Sequence, residues 1–209
     1  MKNIRHFFII TVGILIMLGL IVVNEAYIKA KKNLQFPYDQ DFFKKIAQSD
    51  NSLTLTLYSD LECPFCALMH ITIKQLISAY PYKIKIIFKH LPIDRIHKNA
   101  RFAAEASECV KEQGGEEAFW LFVDKLFENQ AYLSSNLYFN IVSELHLNLD
   151  DFKKCFNERR YKNKVEQDYQ EGLQKGVRRT PTLIINNKEV ISGFILFTDL
   201  KEKLDKFLK

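Results

Sequence analysis

Tyr58-Ser59-Asp60-Leu61-Glu62-Cys63-Pro64-Phe65-Cys66 is the stretch on which the fold turns. It sets two thiols three positions apart, directly after Leu53, Leu55 and Leu57 alternate with Thr54 and Thr56. That period of two, with β-branched partners, predicts a strand. Pro64 suits the first turn of a helix. Ala67, Leu68, Ile71, Leu76 and Ile77 then keep helical spacing to about Tyr80, where Pro81 ends the run. Within Tyr82 to Phe88, Ile84, Ile86 and Phe88 alternate with Lys83, Lys85 and Ile87, a second strand. The dithiol therefore opens the helix of a strand, helix, strand unit.

Between His90 and Gly176 the pattern is helical, in Asn99 to Lys111, Glu116 to Glu128, Ser135 to His146, Asp150 to Asn157 and Arg160 to Lys175. Ser134 or Ser135 and Asp150 supply caps, and Gly114-Gly115 and Gly176 supply stops. Alternation returns at Thr182 to Ile185, turns at Asn186-Asn187, continues through Glu189 to Ile191, and a helix closes the chain from Thr198 to Leu208. Phe119, Trp120, Phe122 and Phe127 fall at helical spacing and read as core.

Upstream, Lys2, Arg5 and His6 precede an uncharged run of 17 residues, Phe7 to Val23. Such a run exceeds a usual signal-peptide core and reaches the lower limit for a spanning helix. Neither Asn24-Glu25-Ala26 nor Ile28-Lys29-Ala30 is a good small-x-small cleavage site, so residues 1–23 are expected to be a signal anchor rather than a cleaved signal peptide. Residues 24–50 read as a tether. The run lacks the polar face that a half-exposed amphipathic helix needs.

The 209 residues otherwise fit one globular unit, 47% hydrophobic and 13% aromatic, without the composition of a disordered or collagen-like chain. The net charge is +5, but Lys2, Arg5, Lys29, Lys31 and Lys32 against Glu25 put +4 in the first 32 residues and leave +1 for the rest. No basic face remains for nucleic acid. Nor is there a Gly-x-Ser-x-Gly elbow or a phosphate-cradling loop.

A Cys-x-x-Cys pair serves zinc sites and redox sites alike. Zinc needs four ligands, and the other cysteines, Cys109 and Cys155, are far apart on separate helices. His70, one turn past Cys66, reads as a helix-surface histidine rather than a ligand. A helix N-terminus, by contrast, favours an anion through its unpaired N–H groups and macrodipole. Cys63 is then the nucleophile, and Cys66, on the same helical face, the resolving thiol.

The nonapeptide above, followed far downstream by Gly176-Val177-Arg178-Arg179-Thr180-Pro181-Thr182-Leu183-Ile184-Ile185-Asn186, resembles the DsbA-like thiol-disulfide oxidoreductases of the thioredoxin superfamily. The resemblance runs from about Leu53 to the C-terminus. It implies an α/β thioredoxin fold, residues 51–89 and 177–209, with an inserted all-helical domain, residues 90–176. It further implies a cis bond between Thr180 and Pro181 beside the Cys63 sulfur, with the Thr180 backbone pairing with substrate. Pro64, Phe65, Thr180 and Pro181 become support for the catalytic Cys63 and Cys66.

Two residues depart from the strongly oxidising members. Phe65 stands where many carry a histidine that donates to the thiolate, and Glu62 precedes Cys63, so both are expected to raise the Cys63 pKa relative to those enzymes. Cys109, with Phe102, Ala106 and Val110, and Cys155, beside Phe152 and Phe156, lie on inward helical faces. In an oxidising compartment such a pair is expected to form a structural disulfide, as in some relatives. Closing that loop is worth about 4 kcal/mol on the chain-entropy model.

The expected function is extracytoplasmic introduction of disulfides into unfolded or partly folded exported proteins, in the periplasm or a similar compartment. A DsbB-type membrane partner would reoxidise the dithiol, and no metal or organic cofactor is required. A reductase or isomerase of the same fold is the alternative within the class, although an isomerase usually needs a dimerisation module and residues 24–50 are short for one. A redox-inactive chaperone or peptide-binding module is the alternative from another class.

Overall fold

A computed structural model describes residues 53–208. The expected signal anchor and tether lie outside the described residues. Among those described, no helix is long and apolar enough to cross a membrane.

The elements follow in the order β1 (Leu53–Ser59), α1 (Pro64–Ala79), β2 (Ile84–His90), α2 (Ala100–Glu128), a short 3-10 turn (Gln130–Tyr132), α3 (Ser135–Glu144), α4 (Leu149–Asn157), α5 (Lys162–Gln174), β3 (Thr182–Ile185), β4 (Glu189–Ser192) and α6 (Phe197–Asp205). The sheet order is β2-β1-β3-β4, with β1 parallel to β2 and the other pairs antiparallel. This is a thioredoxin-like α/β fold carrying helices between β2 and β3.

Because β1 is an inner strand, both of its faces are covered, and Thr56 and Tyr58 are as buried as Leu55 and Leu57. Tyr58 packs with Leu91, Val177 and Ile184, and its ring meets Gly172 of α5. A Cβ at Gly172 would come within 2.6 Å of Leu91 Cδ1. On β2, Lys89 pairs with Asp168 and Glu171 of α5, whereas Phe88 and His90 touch Phe119 of α2. The parallel register sets Tyr58 beside Lys89 and Ser59 beside His90. Since side chains alternate along a strand, Tyr58 faces α5 and Ser59 faces the opposite side.

Gly115, at φ 67° and ψ −159°, leaves the helical region, so α2 is two helices meeting at a kink, where Gly114-Gly115 was expected to supply a stop. Other local expectations change. The cap of α4 is Asn148, whose Oδ1 accepts the N–H groups of Asp150 and Asp151, while Ser134 caps α3 through Leu137 N–H. His70 is not on the surface. It is 3% exposed, stacked on Trp120 and hydrogen-bonded to Asp124, because α2 lies across that face of α1. Phe102 is 43% exposed rather than inward, under the Arg159 guanidinium. Asn186 and Asn187 both take positive φ in the β3–β4 turn, and Asn186 bonds Thr54 through both its N–H and its Oδ1.

Phe119, Trp120 and Phe122 are buried. Around them α2, α3 and α4 assemble an aromatic cluster in which Phe122, Tyr138, Phe152 and Phe156 are neighbours. The Cys109 and Cys155 sulfurs are bonded, joining α2 to α4 across 46 positions of sequence.

Candidate active site

Cys63 is the N-cap residue of α1, extended at φ −82° and ψ 121°, with Pro64 opening the helix. Its carbonyl accepts the N–H groups of Cys66 and Ala67, which starts the helical ladder at the motif itself. Its sulfur lies at the positive end of α1. Cys63 and Cys66 are both unbridged, the first 6% exposed and the second fully buried. Of the two, only Cys63 retains any exposed surface.

The environments split the two thiols. A hydrogen bond from the Cys66 thiol, followed by the N–H of Cys66, the Thr180 side chain and the N–H of Phe65, outweighs burial and lowers the Cys63 pKa from 9.0 to about 6. Burial first, then the neighbouring Cys63, drives Cys66 well above the ordinary value. The Thr180–Pro181 peptide is cis. In the thiol form, Cys63 Sγ donates to the Thr180 carbonyl at 3.7 Å. The Thr182 hydroxyl donates to the Arg179 carbonyl at 2.8 Å and fixes the loop beside it.

The structure thus brings Cys63, Pro64, Phe65, Cys66, Thr180 and Pro181 together, and holds Cys109 and Cys155 elsewhere, between helices. The Phe65 side chain is 60% exposed, so this residue contributes its backbone N–H alone. Glu62 is engaged elsewhere. Its carboxylate accepts Asn99 N–H at 2.7 Å and Asn99 Nδ2 at 3.2 Å, and it is not among the groups that set the Cys63 pKa.

Two supporting residues, Asp60 and Gln130, were not found from the sequence. Asp60 is buried, and its carboxylate accepts Glu62 N–H, Ile93 N–H and His97 Nδ1 at 2.8, 2.7 and 2.8 Å. It pins the motif turn to the segment after β2. Gln130 Nε2 donates to the carbonyls of Leu61 and Cys63, both at 3.0 Å. Apart from the local Glu62 contact, these bonds span 33 to 69 positions, so no local pattern announces them. Among the described residues, no group of three or more His, Cys, Asp or Glu is placed to hold a metal ion.

A family model described as Thioredoxin matches residues 45–206. The chain belongs to the DsbA-like thioredoxin family. This DsbA-like chain is 26% identical to the probable disulfide bond formation protein D of Bacillus anthracis, over 96% of this chain and 94% of that one. It is also 30% identical, over 75% of its length, to the Na(+)/H(+) antiporter NhaA 3 of Salinispora tropica, but it spans only 23% of that protein. Among solved structures, oxidised BdbD of Bacillus subtilis superposes with a TM-score of 0.67 at 25% identity, over 76% of this chain and 89% of that one.

Proposed function

We propose that this chain is a thiol-disulfide oxidoreductase that introduces disulfides into unfolded or partly folded exported proteins through Cys63 and Cys66. One observation carries the reading: a slightly exposed Cys63 at the start of α1, its pKa lowered to about 6, over a fully buried Cys66 whose pKa is raised. A thiolate held at neutral pH stabilises the reduced pair and so favours flow of electrons from substrate into it. The lowered value is the direction that an oxidant needs.

In the forward reaction a substrate thiolate attacks Cys63 Sγ of the oxidised pair. The Cys63–Cys66 bond breaks, a substrate–Cys63 bond forms, and Cys66 leaves as a thiolate that takes up a proton. A second substrate thiolate then attacks the substrate sulfur of the mixed disulfide and expels Cys63, whose low pKa makes it a good leaving group. The substrate loses two electrons and the chain gains them. In this reading Thr180 and Pro181 border the place where an extended substrate segment lies, and Pro64 and Phe65 shape its other side. A membrane redox partner of DsbB type, attacked by Cys63 and released when Cys66 attacks the Cys63 sulfur, would restore the disulfide.

The setting proposed is outside the cytoplasm, in the periplasm or an equivalent compartment, with residues 1–23 as membrane anchor and 24–50 as tether. The bond between Cys109 and Cys155, expected chiefly where thiols are oxidised, supports that setting. The domain division proposed is residues 51–89 and 177–209 for the redox unit and 90–176 for the helical insert.

The test is oxidation of a reduced, unfolded protein that needs two disulfides, alongside insulin reduction and repair of a scrambled substrate. Net oxidation that vanishes in Cys63→Ser supports the proposal. Insulin reduction without oxidation would assign the chain as a reductase, a reading to which the exposed Phe65 side chain, offering the thiolate no hydrogen bond, lends weight. Unchanged behaviour of Cys63→Ser in every assay would reject dithiol chemistry altogether.

A further inference from the structure

The Ser59 hydroxyl, at the end of β1, is buried and satisfies no hydrogen bond in the dithiol form. A buried hydroxyl without a partner costs stability, so its retention calls for a reason. Its register beside His90 turns it away from α5 and toward the side on which α1 and α2 lie. There the next residue, Asp60, already donates its N–H to Cys66 Sγ at 3.4 Å.

We propose that Ser59 and the Asp60 N–H form a two-donor cradle for the Cys66 sulfur, in which the Ser59 hydroxyl engages when Cys66 becomes a thiolate. The proposal rests on the dithiol reading above and concerns its buried half. Cys66 is expelled as an anion when a substrate sulfur takes Cys63, and it must again be an anion to attack the Cys63 sulfur. At full burial no bulk water solvates that charge. Ser59 and the Asp60 backbone act on Cys66 in the contrary, lowering direction. The hydroxyl lacks a properly aligned partner in the neutral dithiol because a protonated sulfur is a weak acceptor, whereas a thiolate is a strong one. No bond other than the sulfur–sulfur bonds changes in this step, and Ser59 keeps its proton. The donor thus favours the charged state over the ground state, as groups that lower barriers must.

The measurement is the lifetime of a Cys63–glutathione mixed disulfide. The reduced full chain is mixed with oxidised glutathione at pH 7, quenched in acid, and read by mass after alkylation. Removing one hydrogen bond to a charged sulfur raises its pKa by about one unit. A more basic thiolate is intrinsically more nucleophilic, which returns about half of that change. Ser59→Ala is therefore expected to lengthen the mixed-disulfide lifetime about threefold, and to slow attack of a small thiol on the oxidised pair by about the same factor. The midpoint for alkylation of Cys63 should stay in place.

The thermal midpoint separates a structural role from this one. Loss of an unpaired buried hydroxyl leaves stability unchanged or raises it, whereas a structural serine would lower it. Should Ser59→Ala not fold, Ser59→Gly reads the same step. A folded variant with the parental lifetime, tested beside an inactive Cys63→Ser chain, would overturn the cradle and leave the dithiol reading standing. An active Cys63→Ser chain would instead remove the reading on which it rests.

Discussion

Gln130 reaches across 67 positions of sequence to donate its Nε2 to the Cys63 carbonyl at 3.0 Å. The same amide donates to Leu61, so a side chain from the 3-10 turn after α2 braces both sides of Glu62 and holds the residue that begins α1. The helical segment is thereby tied to the backbone of the motif. Gln130→Ala should lower stability by about 1–2 kcal/mol, one ordinary hydrogen bond for each carbonyl. Urea unfolding of the reduced protein would show it, and an unchanged midpoint would mean that solvent replaces both bonds.

The low Cys63 pKa makes the stability of the reduced protein depend on pH. Because the folded value is depressed, from 9.0 to about 6, the stabilisation is complete above about pH 9 and is lost as pH falls toward 6. Below about pH 9 the raised pKa of Cys66 keeps that thiol protonated in the fold. The difference in unfolding free energy between the reduced parent and reduced Cys63→Ser should therefore grow as pH rises from about 6 and level off above about pH 9. Iodoacetamide should modify Cys63 with a midpoint at about pH 6, and leave Cys66 unmodified in the folded chain.

Asp124 joins α2 to α1 through two partners, a 2.7 Å ion pair with Lys74 and a hydrogen bond with His70. Burial alone would raise its pKa; the His70 hydrogen bond and the charges of His70 and Lys74 outweigh that and hold it low. Asp124→Ala would leave two nearly buried groups without this carboxylate, a loss of about 3–5 kcal/mol. Its contribution should be present above the ordinary carboxylate range near 3.8 and fade as pH falls below it. Acid unfolding midpoints of parent and Asp124→Asn would converge at low pH if this is the source of the stability.

The Cys109–Cys155 bond closes a long loop within the helical layer and leaves Cys63 and Cys66 unbridged. Replacing both by alanine should cost about 2–4 kcal/mol, chiefly through the freer unfolded chain. Thiol exchange at Cys63 should persist at temperatures where the variant remains folded. Thermal unfolding paired with the mixed-disulfide assay would separate the two effects, and loss of exchange in the folded variant would give this bond a redox role.

Much of the architecture is legible locally. Alternation marked β1, β2 and β3, helical spacing marked α1 to α6, and the two asparagines marked the β3–β4 turn, since each signal depends on neighbours within a few positions. Errors came where packing overrode local chemistry. His70 has no local partner and reads as surface, until α2 brings Asp124 and Trp120 over it.

By itself the sequence determined the strand-to-helix placement of Cys63-Pro64-Phe65-Cys66, and with it the dithiol, because a helix start and a three-position spacing are written in consecutive residues. Tertiary structure decided the proton affinities of those thiols. Burial of Cys66, the approach of Thr180 and the diversion of Glu62 onto Asn99 are contacts between segments distant in the chain. Electrostatic energy depends on distance and solvent access in space, and neither is encoded at the position of the residue that feels it.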